Sequence, residues 1–164
     1  MDEVYPWEGE YKDTSFFDPS CGSGIFLVEA YRRLVCRWMS QNDVHTITCD
    51  QLNLLLKNSI FGVDINEEAI RVASFSLSLA MCDFLDPRSI WDKLSFPRLL
   101  DNNLISSDFF DEDKSFNNRR YDVIVGNPPW QSNITGKTKE YLKKANRVIG
   151  DKQIAQAFSI KCSE

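Results

Sequence analysis

Short apolar runs alternate with longer segments of helical periodicity along this 164-residue chain. Apolar residues recur every three or four positions over residues 25–39 and from 66 to 81 or 82, and both segments are predicted helices. Further helices are predicted over 50–57, with Asp50 as the N-cap, around Trp91, and one or two at the end of the chain. Strands are predicted over residues 14–18, 59–64, 103–107 and 121–126. This alternation predicts an α/β fold with a mainly parallel sheet and right-handed crossovers.

The composition excludes several classes of protein. Hydrophobic residues make up 43% of the chain and charged residues 26%, which is typical of one globular domain. No apolar run approaches the roughly 18 residues that span a bilayer. Five cysteines form no C-x-x-C pair and only one histidine accompanies them, so neither a zinc site nor a disulfide framework is indicated. This usage favours a reducing, cytoplasmic compartment.

Each predicted strand ends in a polar group that can bind a ligand. The four groups are Asp18, Asp64, Asp108 and Asn127. Parallel sheets bind ligands beyond the carboxyl ends of their strands, so we expect these groups to share one site.

The first strand runs into a glycine-rich turn, Asp-Pro-Ser-Cys-Gly-Ser-Gly at residues 18–24. The turn is not a P-loop, and it lacks the third glycine of the dinucleotide fingerprint. Because Asp18 would repel a pyrophosphate, the turn fits a cofactor with a cationic amino-acid moiety better. The simpler alternative is a turn without a ligand.

The second and third strand ends add carboxylates beside apolar side chains. Asp64 can accept bonds from both hydroxyls of a ribose, and Ile65 can pack on an adenine ring. Asp108 with Phe109 can meet the amino edge and the face of an adenine. The alternatives are that Asp64 N-caps the helix that begins near residue 66, and that Asp108 belongs to an acidic turn beside a core phenylalanine.

The fourth strand is followed by Asn-Pro-Pro-Trp at residues 127–130. Two prolines fix two φ angles and remove two N–H donors, which leaves carbonyl acceptors beside a side-chain amide and an aromatic plate. This group suits a planar, amine-bearing substrate. The alternative is a Pro-Pro turn with a solvent-facing tryptophan.

A basic stretch follows this motif, with seven basic and two acidic residues between positions 137 and 161. It is read equally well as a nucleic-acid-facing patch or as the solvated face of an amphipathic helix. The buried stripe of that helix would comprise Tyr141, Leu142, Ala145, Val148 and Ile149.

With these motifs, the chain resembles a gamma-type N6-adenine DNA methyltransferase of type I and fused type II restriction–modification systems. The resemblance runs from about residue 16 to 162, and residues 153–158 resemble the helix after the catalytic motif. It implies a three-layer Rossmann-like fold that uses S-adenosylmethionine, with part of the mainly parallel sheet. The implied cofactor-binding residues are Asp18, Pro19, Cys21, Gly22, Ser23, Gly24, Asp64, Ile65, Asp108 and Phe109. The implied catalytic residues are Asn127, Pro128, Pro129 and Trp130.

The implied substrate is double-stranded DNA with a flipped adenine. Asn127 and the Pro128 carbonyl would accept the hydrogens of its amino group, and Trp130 would stack on the base. Two acceptors on those hydrogens favour a tetrahedral nitrogen that can attack a sulfonium methyl group. Neither a metal nor a covalent nucleophile is needed for this chemistry.

The chain also departs from this family's pattern. The expected upstream motif and target-recognition domain are absent, so we expect one partial methyltransferase domain over 1–164. Its cofactor-binding part would be 14–110 and its catalytic part 121–164, with little or no activity alone. An exposed edge at strand 121–126 predicts self-association, and a specificity subunit or domain is a further expected partner. The alternatives are a protein-glutamine or RNA methyltransferase and a non-catalytic remnant that acts as an interaction module.

Overall fold

Four parallel strands form the centre of the fold. The computed structural model describes residues 1–130, 134–150 and 153–164, apart from the side chains of residues 92 and 93. The strands are β1 (Phe16–Asp18), β2 (Ile60–Asp64), β3 (Leu104–Ser106) and β4 (Val123–Ile124). Their order is β3-β2-β1-β4, with every pair parallel, and β4 lies at an edge as expected. The predicted α/β fold is confirmed, although the strands are shorter than the sequence indicates.

Among the residues that the structure describes, β4 pairs only with β1. Phe16 lies opposite Val123 and Phe17 lies opposite Ile124. Beyond this pairing, the N–H of Val125 donates to the carbonyl of Phe17 at 2.9 Å. This short ladder sets the position of the segment that follows β4.

Six helices surround the sheet in the described residues: α1 (Ile25–Gln41), α2 (Cys49–Ser59), α3 (Glu67–Cys82), α4 (Pro87–Lys93), α5 (Gly136–Lys144) and α6 (Ile154–Cys162). A 3₁₀ helix spans Ser115–Asn118. The predicted helices over 25–39, after residue 66, around Trp91 and at the end of the chain are confirmed.

The predicted N-cap of α2 is wrong by two residues. Thr48, not Asp50, caps the helix, because its hydroxyl accepts from the N–H of Gln51 while the Gln51 side chain accepts from the N–H of Thr48. This reciprocal capping box satisfies two N–H groups that otherwise lack partners. A lone carboxylate at position 50 offers no such pair.

The fold has three layers, because helices cover both faces of the sheet. Side chains that alternate along each strand pack against these two helical layers in turn. Phe16 and Ile60 face the layer of α1, α2 and α3, whereas Phe17 and Phe61 face the opposite layer with α5 and α6. The second core is largely aromatic, and Phe17 stacks on Tyr121 with ring centroids 4.4 Å apart. A Rossmann-like architecture is compatible with this arrangement.

Two arginines of α1 hold the N-terminal segment of residues 1–10. Arg33, with 4% of its surface exposed, donates to the carbonyl of Tyr5 at 2.8 Å and to Asp2 at 2.6 Å. Arg37 donates to the carbonyl of Pro6 and lies 3.6 Å from the centroid of the Tyr5 ring. The segment is therefore fixed through its backbone carbonyls, which sequence patterns do not reveal.

The amphipathic helix expected after the fourth strand is shorter than its apolar stripe implied. Tyr141 and Leu142 are buried in α5, but the helix ends at Lys144, and Val148 is 95% exposed. In the described part of the chain, no helix has the length and apolar character needed to cross a bilayer.

Candidate active site

A pocket of about 380 Å³ opens at the carboxyl ends of the four strands. It brings together seven of the residues singled out from the sequence: Pro19, Asp64, Ile65, Asp108, Phe109, Asn127 and Pro129. Because each strand end contributes at least one of them, the expectation of one shared site agrees with the geometry.

The remaining predicted residues surround the pocket without lining it. Asp18 and Cys21 are buried beneath the turn, and Gly22, Ser23 and Gly24 lead into α1. Pro128 and Trp130 flank the pocket wall formed by Asn127 and Pro129.

Asp18 is a buried carboxylate with one oxygen left unbonded. Its Oδ1 accepts from the N–H of Ser20 at 2.9 Å, while Oδ2 has no hydrogen-bond partner in the described residues. The pKa of Asp18 is raised to about 7, chiefly by burial and also by the nearby charge of Asp64, while the hydrogen bond from Ser20 acts in the opposite direction. A cationic or N–H-bearing ligand would stabilise the charged form of such a buried carboxylate.

The glycine turn is tied to the second strand end. The N–H of Gly22 donates to Oδ2 of Asp64 at 2.9 Å, and the φ of Gly22 is +52°. A Cβ at this position would meet no atom within 4 Å, so the backbone faces open space. At Gly24, with φ +83°, a Cβ would lie 3.0 Å from that of Ala73, and here glycine permits α1 to approach α3.

Asp64 supports the turn and does not cap the helix. Its Oδ1 accepts from the N–H of Asn66, and Asn66 itself caps α3 by accepting from the N–H groups of Glu68 and Ala69. The capping alternative for Asp64 is therefore wrong. Ile65, at the mouth of the pocket, is 68% exposed and offers an uncovered apolar surface.

Asp108 is bonded at both oxygens. Oδ1 accepts from the N–H of Phe110 at 2.9 Å, and Oδ2 accepts from the hydroxyl of Thr135 at 2.8 Å. Phe109 is 6% exposed and stacks on Phe158 of α6 at a centroid distance of 5.1 Å. The phenylalanine thus belongs to the core and to the pocket wall at once.

Asn127 and Trp130 contact each other. The indole N–H of Trp130 donates to Oδ1 of Asn127 at 3.2 Å, and Trp130 is 64% exposed. Gly126, just before them, packs so closely that a Cβ would lie 2.7 Å from Oδ1 of Asp18. The motif after β4 therefore adjoins the buried carboxylate after β1.

Several pocket residues were not predicted: Ser20, Ser107, Phe110, Thr135, Ile154 and Phe158. Thr135 carries a recognisable signal, since threonine before Gly-Lys-Thr is typical of an N-cap, but its contact with Asp108 depends on tertiary packing. Ile154 and Phe158 are spaced one helical turn apart on α6, which is also the spacing of ordinary core residues.

The basic stretch is partly neutralised. Lys137 pairs with Asp111 and Lys144 pairs with Glu112. Lys161 is half-buried against the ring of Phe109, and burial lowers the pKa of its ammonium group. Three of the basic residues thus bind the protein itself, which favours the helix alternative for them. Among the described residues, no cluster of three or more potential ligands could hold a metal ion.

A family comparison decides the affiliation of the chain. Residues 58–164 match the model of the Eco57I restriction-modification methylase family. The chain belongs to this family. The match to the Eco57I family covers β2, β3 and β4 and therefore most of the pocket.

Three relatives have sequences similar to that of this chain. The chain is 32% identical to "Adenine-specific methyltransferase PglX" of Streptomyces coelicolor in an alignment that covers 79% of this chain and 13% of the relative. It is 25% identical to "Type II restriction enzyme and methyltransferase RM.Eco57I" of Escherichia coli in an alignment that covers 75% of this chain and 15% of the relative. It is 31% identical to "Adenine-specific methyltransferase BrxX" of Escherichia coli O9:H4 in an alignment that covers 57% of this chain and 9% of the relative. The chain thus spans less than one sixth of the length of these relatives.

Proposed function

We propose that this chain contains the cofactor-binding and target-base site of an S-adenosylmethionine-dependent methyltransferase that modifies adenine N6 in DNA. The observation that carries the proposal is the shared pocket. Asn127 and Pro129 line the same cavity as Asp64 and Asp108. An acceptor for an amine therefore adjoins the carboxylates that suit a nucleoside-bearing cofactor.

The residues present fit S-adenosylmethionine. The unbonded, buried Oδ2 of Asp18 suits the cationic amino-acid end, and the open backbone at Gly22 allows close approach. Asp64 retains lone pairs for ribose hydroxyls, and Ile65 with Phe109 offers apolar contact to an adenine ring. In this role Pro19, Cys21, Ser23 and Gly24 shape the turn around the amino-acid end.

The bound cofactor supplies an electrophilic methyl group on a sulfonium. The chain's own residues then prepare the amine. Oδ1 of Asn127 and the carbonyl of Pro128 accept its two hydrogens, which draws the nitrogen lone pair out of conjugation with the ring. Trp130 holds the face of the base, and Pro129 keeps the turn rigid, so the amine is oriented before reaction.

The wider setting is also a proposal. The substrate would be double-stranded DNA with a flipped adenine, recognised with a specificity subunit or domain, in the cytoplasm. The cofactor-binding part would be 14–110 and the catalytic part 121–164 of one partial domain with little or no activity alone. The edge position of β4 supports self-association of the isolated chain.

Binding of S-adenosylhomocysteine, the stable product that the cofactor becomes after methyl transfer, tests the site. Calorimetry should show one site per chain, and a hundredfold excess over Kd should stabilise the fold by about 2.7 kcal/mol. Asp64→Ala should lose this binding, whereas Asn127→Ala should keep it within about twofold because Asn127 acts on the substrate. Absence of binding to the wild-type chain would refute the proposal.

A methyl-transfer assay tests the chemistry. Any transfer by the chain should go to adenine in DNA, not to RNA or protein, and should vanish in Asn127→Ala. Asn58→Ala, an exposed change on α2, is the matched control and should leave transfer unchanged. Transfer that persists in Asn127→Ala would exclude Asn127 as the acceptor.

A further inference from the structure

The hydroxyl of Thr135 connects two ends of the pocket that lie far apart in sequence. It donates to Oδ2 of Asp108 at 2.8 Å, while Oδ1 of the same carboxylate accepts from the N–H of Phe110. Asp108 is therefore oriented by its own turn and by the first residue before α5. The sequence marks Thr135 as a helix N-cap and assigns it no role in the pocket.

The carboxylate of Asp108 also fixes the direction of a second hydrogen bond, between Thr135 and its buried neighbour Thr138. The hydroxyls of Thr135 and Thr138 lie 2.8 Å apart, and Thr138 is fully buried. Each hydroxyl has one proton, and Thr135 gives its proton to a carboxylate that can only accept. Thr138 must then donate to Thr135, which makes an ordered chain from Thr138 through Thr135 to Asp108.

Residues before and after the target-base motif contact two carboxylates at the strand ends. Gly126, just before the motif, packs directly against Asp18. Thr135, which follows the motif in the chain, bonds Asp108. Asn127 lies next to Gly126 and lines the same pocket as Thr135.

Two ion pairs also link α5 to the segment after β3. Lys137 pairs with Asp111 and Lys144 with Glu112, but these lysines are about half or more exposed. Exposed pairs contribute little and lie outside the pocket. Of these links, only the Thr135 hydroxyl lines the pocket itself.

We propose that Thr135 is a positioning residue that couples cofactor occupancy to the placement of Asn127 and Trp130, an inference that rests on the proposed function. A ligand that bonds Asp108 shares that carboxylate with Thr135. Filling the pocket therefore changes the contact of Thr135 with Asp108 beside Asn127, and this contact in turn changes the affinity for the ligand. This reciprocity is required by linkage.

Three threonine variants separate this coupling from simple loss of a helix cap. Thr135→Val removes the hydroxyl and Thr135→Ser retains it. Thr48→Val removes the N-cap of α2, which lies outside the pocket, and is the matched control. S-adenosylhomocysteine is the probe, with its Kd measured by calorimetry and thermal stability measured alongside.

The Kd should rise about tenfold in Thr135→Val, which lies within the usual range for coupled sites, and stay within about twofold in Thr135→Ser and Thr48→Val. A second readout is the part of the ligand-induced tryptophan emission change that Trp130→Phe abolishes. Thr135→Val should lack this part of the emission change even at saturating ligand. Thr48→Val, which loses a comparable N-cap, should keep it.

The outcomes are distinct. If the wild-type chain does not bind the probe, the proposed function and the coupling both fail. If Thr135→Val binds with wild-type affinity and a full Trp130 response, the coupling alone is overturned. Should Thr135→Val not fold, Thr138→Val removes the donor to Thr135 and must show the same two losses for the coupling to stand.

Discussion

The indole N–H of Trp130 donates to the side-chain oxygen of Asn127 across 3.2 Å. The oxygen that we propose as acceptor for the target amine is thus already bonded within the protein. An entering base would exchange one N–H donor for another, so the acceptor is not left unsatisfied before the substrate arrives. Trp130 is then free to stack on the base.

This exchange leads to a prediction for Trp130→Phe. The change keeps an aromatic face and removes the N–H, and it should alter the free energy of unfolding by less than about 0.5 kcal/mol because the site is exposed. Trp130→Ala, which also removes the face, should lower methyl transfer at least tenfold more than Trp130→Phe. Urea unfolding and transfer of a labelled methyl group measure the two effects, with Trp91→Phe as the exposed control. Equal transfer by the Phe and Ala variants would argue against stacking.

Asp18 predicts a specific dependence of stability on pH. Its pKa is about 7 in the folded chain, above the ordinary value of 3.8, so the folded state binds the proton more tightly. The contribution of Asp18 to the free energy of unfolding should therefore fall as pH rises from about 4 to about 7, and stay constant above. The loss should be about 2–4 kcal/mol, because a tenfold change in proton affinity is worth about 1.4 kcal/mol.

Asp18→Asn isolates this effect. The variant should be more stable than the wild type at pH 8 without ligand, lose that advantage near pH 4, and bind S-adenosylhomocysteine at least tenfold more weakly. Chemical unfolding across pH 4–8 provides the measurement. Parallel pH profiles for the two proteins would show that Asp18 does not titrate in this range.

Gly126→Ala should disturb the pocket through a steric clash. The new Cβ would lie 2.7 Å from Oδ1 of Asp18, which is itself held by the N–H of Ser20. We expect a loss of about 1–3 kcal/mol in unfolding free energy and a weaker affinity for the cofactor analogue.

Gly136→Ala is the control for this change, because a Cβ there meets nothing within 4 Å. At this first position of α5, alanine should be neutral or stabilise by up to about 1 kcal/mol. Calorimetric melting and ligand titration compare the two variants. If both behave alike, the contact with Asp18 is not tight enough to matter.

Arg33→Met should release the N-terminal segment. It removes a buried guanidinium that bonds Tyr5, Asp2 and Glu29, and it leaves the Tyr5 carbonyl without its donor. The free energy of unfolding should fall by about 2–4 kcal/mol. Chymotrypsin should cut after Trp7 more readily, because the guanidinium of Arg33 also lies 4.9 Å from the centroid of the Trp7 ring.

The neighbouring Arg32→Met provides the contrast. Arg32 pairs with Asp83 where both side chains are about half exposed, so its loss should cost no more than about 1 kcal/mol. Mass spectrometry of the digests identifies the released segment. Equal cleavage of both variants would show that Arg33 does not hold it.

The sequence was sufficient for the order of elements and for the four strand ends. Asp18, Asp64, Asp108 and Asn127 follow apolar runs, and parallel strands must bring such positions to one edge. Local chemistry also located the start of α3 near Asn66, because a side-chain cap acts within a few residues.

What the sequence could not supply depends on contacts between distant residues. Thr135 and Asp108 are separated by 27 positions, and nothing local distinguishes this threonine from any other N-cap. Arg33 donates to the backbone carbonyl of Tyr5, and every residue possesses such a carbonyl, so no residue pattern marks this partner. The sequence also does not predict the end of α5 at Lys144. Apolar residues beyond Lys144 continue the helical spacing, although Val148 is exposed in the structure.

The pairing of Phe17 with Ile124 sets the distance between two groups of the site. β1 ends in the carboxylate of Asp18 and β4 leads to the amide of Asn127, so this register decides how far apart those groups lie. A slip of β4 by one residue would move Asn127 by about 3.3 Å along the sheet and invert the facing of the strand's side chains. The two residue pairs Phe16–Val123 and Phe17–Ile124 thus set the spacing between the proposed cofactor and the base it would modify.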